Sequence, residues 1–283
     1  MRKIILVILI CGSMSAVAGP SSAVYNITEE QWIHSRNLNQ TRPIASLTKL
    51  MTVMVSMDQD QDLNGLIRLK TASKRFAPGT YTRRTMITAA LVRSDNAAAQ
   101  ALGEAYPGGT REFVKAMNRK ATQLQMQNTR FTDASGLSTG NTATVPDVIT
   151  MLRAADLYPI IREVSVLAEA EVKGRRNRQI VIHNTNQHVL VEYTGITVSK
   201  TGFTGAAGWC MALMVSKNNQ RIAVVILGAD SKQARLNQIQ NHLEHDIPST
   251  VPAAPPIEPQ TPGDIIRRWL FWSGFARSTP ETL

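Results

Sequence analysis

The spacing of apolar residues changes once along the chain, near residue 163, and this change limits the possible folds more than any other feature. Before it, apolar positions recur with helical spacing and predict helices over residues 46–57, 84–105, 110–125 and 144–155. After it, β-branched and apolar runs separated by turn residues predict strands over residues 164–172, 178–183, 195–203, 208–217 and 220–228. Helices in the middle and strands late in a chain predict an α+β fold, with an antiparallel sheet flanked by helices.

Shorter observations complete this prediction. Residues 20–45 have the pattern of an irregular or strand-rich lead-in, and Thr144 and Asp147 have the spacing of a capping box for the helix that follows. Residues 231–245 predict a closing amphipathic helix whose apolar face carries Ala234, Leu236, Ile239 and Leu243. An apolar content of 43% over 283 residues supports a large core and excludes an intrinsically disordered chain.

The first residues have the three parts of a secretory signal peptide. Arg2 and Lys3 precede a short apolar run over residues 4–11, and small residues at 16–18 form a cleavage site. We therefore expect residues 1–18 to be a signal peptide and the rest of the chain to be exported.

The charge balance of the exported chain predicts an anionic partner. Removal of Arg2 and Lys3 lowers the net charge from +10 to +8, and this excess of positive charge favours an acidic polymer or surface. Nucleic acid is not expected, because the chain is exported and lacks interleaved aromatic and basic residues. The same cleavage leaves Cys210 as a single cysteine, and its apolar neighbours predict a buried side chain rather than a nucleophile.

The end of the chain differs in composition from the rest. Six prolines over residues 248–262 predict a stiff, extended linker over residues 248–263. The basic and aromatic tail over residues 264–283 is interpreted either as a short helix in peripheral contact with a membrane, or as a tail that is disordered or docked on its own domain. Residues 19–247 remain as the main domain.

Ser46 and Lys49 stand three residues apart at the start of the first predicted helix. This spacing places a hydroxyl and an amine on one helix face. A neutral lysine can accept the serine proton, burial beside a second cation lowers the lysine pKa, and N–H groups at the helix start can hold an oxyanion. Taken alone the pair is a weak signal, since a capping serine and a surface lysine have the same spacing.

Two further motifs stand at informative positions. Ser94, Asp95 and Asn96 interrupt a helical segment, where they form an interhelical turn or supply a proton-relaying hydroxyl and an amide that holds a substrate carbonyl. The triplet Lys200-Thr201-Gly202 lies inside a predicted strand. A glycine in a strand indicates close approach of another backbone, as when a peptide docks along a sheet edge, although a solvated lysine and a bulge glycine give the same pattern.

The order of the motifs, S-x-x-K, S-D-N and K-T-G, is that of class A β-lactamases and penicillin-binding proteins. The chain resembles the low-molecular-mass penicillin-binding proteins, which are the D-alanyl-D-alanine carboxypeptidases and endopeptidases of peptidase family S11. The similar segments are RPIASLTKLMT from residue 42, TRFTDASGLS from residue 129, HNTN from residue 183 and KTGFTGAAGWC from residue 200. The resemblance covers about residues 22–245. It implies a β-lactamase/transpeptidase-like fold, with the active site in a cleft between a mainly helical subdomain and the sheet.

The resemblance implies the roles of the catalytic residues. Ser46 would be the acylated nucleophile, Lys49 its base, and Ser94 an aid to proton transfer. The oxyanion donors would be the backbone N–H groups of Ser46 and Phe203. No metal or other cofactor is expected, because this mechanism requires none and the sequence lacks a clustered His and Cys set.

Substrate binding would fall to the remaining motif residues, Asn96, Lys200, Thr201, Gly202 and Phe203. The resemblance assigns the terminal carboxylate of the substrate, or of its β-lactam mimic, to Lys200 and Thr201. We expect peptidoglycan stem peptides as partners and β-lactam antibiotics as covalent inhibitors, in the periplasm. A structural role is expected for Asn184, Asn186, His183 and His188.

The resemblance leaves several activities open. A cross-bridge endopeptidase is favoured over a carboxypeptidase, because the residues after Asp246 are too few for the extra β-domain of many carboxypeptidases. A serine β-lactamase is disfavoured, because the segment around Asp133 lacks the E-x-x-L-N glutamate that activates a deacylating water. A glutaminase-type amidohydrolase is disfavoured by the signal peptide and K-T-G. A non-catalytic module that senses β-lactams or peptidoglycan remains compatible with the sequence.

Overall fold

The computed structural model describes residues 19–247, which hold all three motifs. The predicted signal peptide, linker and C-terminal tail lie outside the described residues. A five-stranded antiparallel sheet has helices on both faces, and the α+β prediction is confirmed. Between residues 19 and 247, no helix is both long enough and apolar enough to cross a membrane.

The strands of the described chain are short in the helical region and long near its two ends. In chain order they are β1 Ser21–Asn26, β2 Gln31–Arg36, β3 Arg42–Pro43, β4 Leu66–Leu69, β5 Gly79–Thr82, β6 Thr142–Ala143, β7 Glu169–Lys173, β8 Gln179–His183, β9 Ile196–Thr204, β10 Gly208–Lys217 and β11 Gln220–Ala229. The helices are α1 Thr48–Gln59, α2 Arg83–Val92, α3 Asn96–Glu104, α4 Gly109–Gln123, α5 Val145–Ala155, α6 Pro159–Ser165, α7 Gln187–Glu192 and α8 Lys232–Asn241.

The main sheet has the order β2-β1-β11-β10-β9, so strands from both ends of the domain meet in it. β1 pairs with β11 over its whole length, from Ser21 opposite Leu227 to Asn26 opposite Ile222. The lead-in over residues 20–45 is therefore largely part of the sheet. β9 carries the third motif and forms one edge, where no described strand pairs with its outer side.

Both faces of the sheet are buried, because alternate side chains of its strands enter two separate cores. Ala212 and Met214 of β10 belong to the larger core, which also contains the apolar side chains of α1 and α5. Met211 and Leu213 belong to the smaller core, together with Ile239 of α8. The near-continuous apolar run of β10 follows from this double burial.

The closing helix is found as α8, which continues into a π-helical turn over His242–Asp246. Its apolar face differs from the predicted one. Ile239 and Leu243 are buried, whereas Ala234 and Leu236 are only half-buried and the intervening Arg235 is buried.

The predicted strand over residues 164–172 is wrong in its first part. Residues 164 and 165 end α6, where a proline takes the first position and Ile160 and Ile161 are buried. β7 begins at Glu169 and pairs with β8 in a separate hairpin outside the main sheet. A short apolar run does not distinguish a buried helix from a strand, and packing of α6 against α2 and β9 decides between them.

The predicted capping box is also wrong. Thr144 precedes α5 but its side chain makes no hydrogen bond to the helix. The carboxylate of Asp147 instead accepts hydrogen bonds of 2.8 Å from Asn128 N and from Thr129 Oγ1. These bonds tie α5 to the turn after α4, and they satisfy the carboxylate that the capping box would have used.

A loop over residues 133–138 packs its backbone against the turn that begins α1. Asp133 organises the loop, because its carboxylate accepts hydrogen bonds of 2.6 Å from the N–H groups of Ser135, Gly136 and Ser138. Gly136 has a φ of +83°, and a Cβ at this position would lie 2.0 Å from Ala45 O. The loop therefore requires glycine both for its conformation and for the close approach.

A pair of glycine substitutions separates these two requirements. Gly109→Ala also introduces a side chain at positive φ (+71°) but meets no atom within 4 Å, so it should cost about 1 kcal/mol in the free energy of unfolding. Gly136→Ala should cost about 3 kcal/mol or more, because the loop must also move away from the turn. Urea unfolding of the exported chain measures both values, and equal losses would contradict the close packing of the loop.

Candidate active site

Ser46 lies in a tight turn at the start of α1. The turn Ala45–Leu47 is a single 3-10 segment, and Ala45 has a φ of +46°, which is unusual for a residue other than glycine. Ala45 and Leu47 are buried whereas Ser46 is half-buried. The surrounding structure thus holds a strained turn that leaves the Ser46 side chain accessible.

Lys49 is completely buried in the first turn of α1, and its amine binds three separate segments of the chain. Its Nζ lies 2.7 Å from Ser46 Oγ, 2.7 Å from Asn96 Oδ1 and 2.5 Å from Ser135 O. The three-residue spacing of Ser46 and Lys49 therefore produces the contact that the sequence predicts. The other two contacts bring α3 and the loop over residues 133–138 to the same nitrogen.

The protonation state of Lys49 follows from its burial. Burial lowers the pKa of Lys49 from 10.5 to about 7, while the charges of Asp133 and Asp95 act in the opposite direction. A neutral amine has two N–H groups and one lone pair. The amide and carbonyl oxygens around Lys49 can only accept hydrogen bonds, so they occupy the N–H groups, and the lone pair is left for the hydroxyl proton of Ser46.

The second motif forms the junction between α2 and α3. Ser94 has a φ of +59° and is half-buried at the turn. Asp95 caps α3, with its side chain accepting a hydrogen bond of 2.9 Å from Ala98 N. The cap fixes the first turn of the helix, and Asn96 in that turn reaches Lys49. The motif is therefore an interhelical turn that also delivers an amide to the site.

Lys200 has a buried amine that lacks a carboxylate partner in the described chain. Its side chain is 1% exposed, and Nζ donates a hydrogen bond of 3.1 Å to Thr201 O. Burial and the positive charges of Lys49 and Arg235 hold its pKa well below the ordinary value. Among residues 19–247, Lys200 forms no ion pair. A bound anion would stabilise the protonated form of this amine.

Gly202 allows β9 to lie directly against the turn that carries Ser46. A Cβ on Gly202 would lie 3.0 Å from Ile44 O and 3.1 Å from Ser46 N. The close approach expected for this glycine is thus made by the chain's own turn. The next residue, Phe203, is 51% exposed and stacks on Trp209 with ring centroids 4.1 Å apart, which places an accessible aromatic side chain beside the site.

Arg235 was not singled out from the sequence, although it belongs to the same charged cluster. It is 4% exposed, its guanidinium lies 5.6 Å from the centre of the Trp209 ring, and its charge helps to lower the pKa of Lys200. Within residues 19–247, its Nε has no hydrogen-bond partner. Its position four residues before the buried Ile239, on the same face of α8, was the available sequence signal.

Other predicted residues fall outside the reactive cluster. Asn184 donates to the carbonyl groups of Ser165 and Leu167, and Asn186 donates to Ser199 Oγ, which supports their structural role. His183 and His188 are exposed. Burial raises the pKa of the Cys210 thiol to about 11, as expected for an inert side chain. Within the described residues, no three His, Cys, Asp or Glu side chains are grouped so that they could hold a metal ion.

Comparisons with known proteins identify the family of the chain. The chain is 33% identical over 255 residues to a D-alanyl-D-alanine endopeptidase of Escherichia coli (strain K12), a match that covers 86% of this chain and 82% of that protein. It is 34% identical over 251 residues to a D-alanyl-D-alanine endopeptidase of Pseudomonas aeruginosa, with coverage of 84% and 81%.

A solved structure of a penicillin-binding protein is also similar to the chain. The chain is similar to the ampicillin-bound form of penicillin-binding protein D2 from Listeria monocytogenes, with a TM-score of 0.71 and 26% identity over 79% of this chain and 95% of that one. The model of the peptidase S11 family, described as D-alanyl-D-alanine carboxypeptidase, matches residues 13–231. The chain therefore belongs to the peptidase S11 family of D-alanyl-D-alanine carboxypeptidases.

Proposed function

We propose that this protein is a serine peptidase that cleaves D-alanyl peptide bonds in peptidoglycan cross-bridges through an acyl-enzyme on Ser46. The contact of 2.7 Å between Lys49 Nζ and Ser46 Oγ carries the proposal, because the amine has a pKa of about 7 and its other two partners are acceptors. The site thus holds a base whose lone pair is directed at a serine hydroxyl, as nucleophilic catalysis requires.

Acylation begins when Ser46 Oγ attacks the D-alanyl carbonyl carbon and Lys49 accepts the hydroxyl proton. Negative charge develops on the carbonyl oxygen, and the N–H groups of Ser46 and Phe203 are the donors that we assign to it. Collapse of the tetrahedral intermediate releases the amine of the leaving peptide, with Ser94 assisting transfer of the proton. Water then attacks the ester and regenerates Ser46.

Substrate orientation depends on the charged strand β9. We assign the free carboxylate of the substrate to Lys200 and Thr201, because it would stabilise the protonated form of a buried amine that has no ionic partner in the described chain. We assign a further contact with the substrate to Asn96. A penicillin carries both a carboxylate and a strained amide, so it would acylate Ser46 as a substrate analogue.

Two observations favour this reading over its alternatives. The relatives at 33% and 34% identity are named endopeptidases, which supports cross-bridge cleavage. Against a β-lactamase, the one carboxylate of the loop over residues 133–138 is occupied, since Asp133 accepts from three backbone N–H groups and from Ser135 Oγ. It is therefore not available as a base for a deacylating water. Export to the periplasm through residues 1–18 would bring the enzyme to its polymer.

Substitution of the nucleophile tests the proposed function. Ser46→Ala should abolish both labelling by a fluorescent penicillin and digestion of purified cross-linked muropeptide dimers, because no acyl-enzyme can form. Cys210→Ala is the matched control and should keep both activities, since the thiol is buried and has a raised pKa. Labelling is read by gel fluorescence and dimer cleavage by chromatography.

Each alternative gives a different result in this experiment. Labelling of Ser46→Ala would contradict the assignment of the nucleophile. A wild-type protein that is labelled but trims only monomeric pentapeptides would be a carboxypeptidase, and one that is labelled but cleaves neither substrate would be a sensor. Rapid turnover of the penicillin would indicate a β-lactamase.

The pH dependence of acylation tests the role of Lys49. The base must be unprotonated, so the rate constant for acylation by penicillin should rise with pH around a midpoint of about 7, the pKa of Lys49. At pH 6 only about a tenth of the amine is neutral, and the rate should fall in proportion. Labelling rates between pH 5.5 and 8.5 measure this profile.

Lys49→Arg provides the companion measurement. A guanidinium stays protonated at every accessible pH, so this variant should lose acylation by about 10²-fold or more over the whole range. Thermal unfolding confirms that the variant is folded. A wild-type rate that is flat or falls between pH 6 and 8 would show that Lys49 is not the base.

A further inference from the structure

Thr185 occupies the segment between β8 and α7, and its two neighbours hold it firmly in place. Asn184 donates hydrogen bonds of 3.1 Å to Ser165 O and 2.9 Å to Leu167 O. Asn186 donates one of 3.0 Å to Ser199 Oγ, on the strand that carries the third motif. Both asparagine side chains are buried, whereas Thr185 between them is half-buried. Hydrogen bonds of both neighbours therefore fix the position of Thr185.

The polar groups of Thr185 connect helix α2 to strand β9. Its N–H donates a hydrogen bond of 3.1 Å to Val92 O, at the end of α2 and two residues before Ser94. Its Oγ1 lies 2.6 Å from Thr201 Oγ1 on β9. The backbone of Thr185 is therefore bound to α2, while its hydroxyl contacts β9.

The pairing of two hydroxyl groups has a directional consequence. Each hydroxyl carries one proton, so one of them donates to the other across the 2.6 Å contact. When Thr185 donates to Thr201, the hydroxyl proton of Thr201 is free to form a hydrogen bond with a ligand. When Thr201 donates, its oxygen lone pairs face the ligand instead and would repel a carboxylate. An anion beside the buried Lys200 therefore favours the first arrangement, in which two hydrogen bonds in series reinforce each other.

We propose that Thr185 is a positioning residue that orients the Thr201 hydroxyl to donate to the substrate carboxylate. The inference rests on the proposed function, in which Lys200 and Thr201 hold that carboxylate, and it adds the group that sets the direction of the second bond. The Thr185 side chain makes no hydrogen bond to Ser46 or to Lys49. Its effect should accordingly appear only with ligands that carry a carboxylate.

Removal of the hydroxyl without change of shape tests the proposal. Thr185→Val should lower the second-order rate constant for acylation by benzylpenicillin about tenfold, the size expected for one hydrogen bond to a charged group. The same variant should react with benzylpenicillin methyl ester within about twofold of the wild-type rate, because this ester has no carboxylate to hold. Thr185→Ser restores the hydroxyl and should recover most of the benzylpenicillin rate.

Thr88→Val is the matched control. Thr88 is a buried threonine of α2 whose hydroxyl bonds to Arg84 O within its own helix. This variant therefore loses a hydroxyl in the helix to which the Thr185 backbone is bound, without a change at β9. Its rates with both penicillins should equal those of the wild type. Thermal unfolding of all variants accompanies the rate measurements.

The possible outcomes distinguish failure of the inference from failure of the proposed function. A wild-type chain that benzylpenicillin does not acylate overturns the proposed function and the inference with it. If the wild type is acylated, the inference alone is overturned when Thr185→Val reacts normally with benzylpenicillin. It is also overturned by an equal loss with both reagents, or by failure of Thr185→Ser to recover the rate, since each indicates a purely structural role.

Discussion

The buried amine of Lys49 is the interaction on which the rest of the site depends. An amine removed from water is stable only where every N–H finds an acceptor, and here the acceptors come from distant parts of the chain. Asn96 is presented by a capped helix, and the carbonyl of Ser135 by a loop folded around the Asp133 carboxylate. The fold therefore provides acceptors for the N–H groups of Lys49 and, by the same contacts, holds its Nζ against Ser46 Oγ.

The electrostatics of the site are dominated by three buried basic side chains. Lys49, Lys200 and Arg235 are all buried near one another. Desolvation lowers the pKa of both lysines, and repulsion from the charges of Lys49 and Arg235 lowers the pKa of Lys200 further. Neutral Lys49 reduces that repulsion while it serves as a base. Under the proposed function, an incoming carboxylate would supply the remaining charge, and the same cluster would both accept a proton and bind an anion.

The sequence predicts the local parts of this structure better than its long-range contacts. A spacing of three residues was enough to place Ser46 beside Lys49, although Ser46 lies in the 3-10 turn before α1. Apolar runs separated by turn residues were enough to locate β9, β10 and β11. The carbonyl of Ser135 was not predictable, because any residue has one and only the folded loop selects it. The error at α6 has the same origin, since packing against distant elements decided a segment whose local pattern was ambiguous.

The position of β9 at the edge of the sheet has a consequence for selectivity. An edge strand offers unpaired backbone N–H and C=O groups. A peptide ligand that lies along it is bound through the ligand's backbone, which is the same for every residue type. Discrimination then rests on the chirality and the charge at the ligand's end rather than on the side chains along its length. Such a surface tolerates chemical variety in the polymer that it processes, and it tolerates equally the compact molecules that imitate that end.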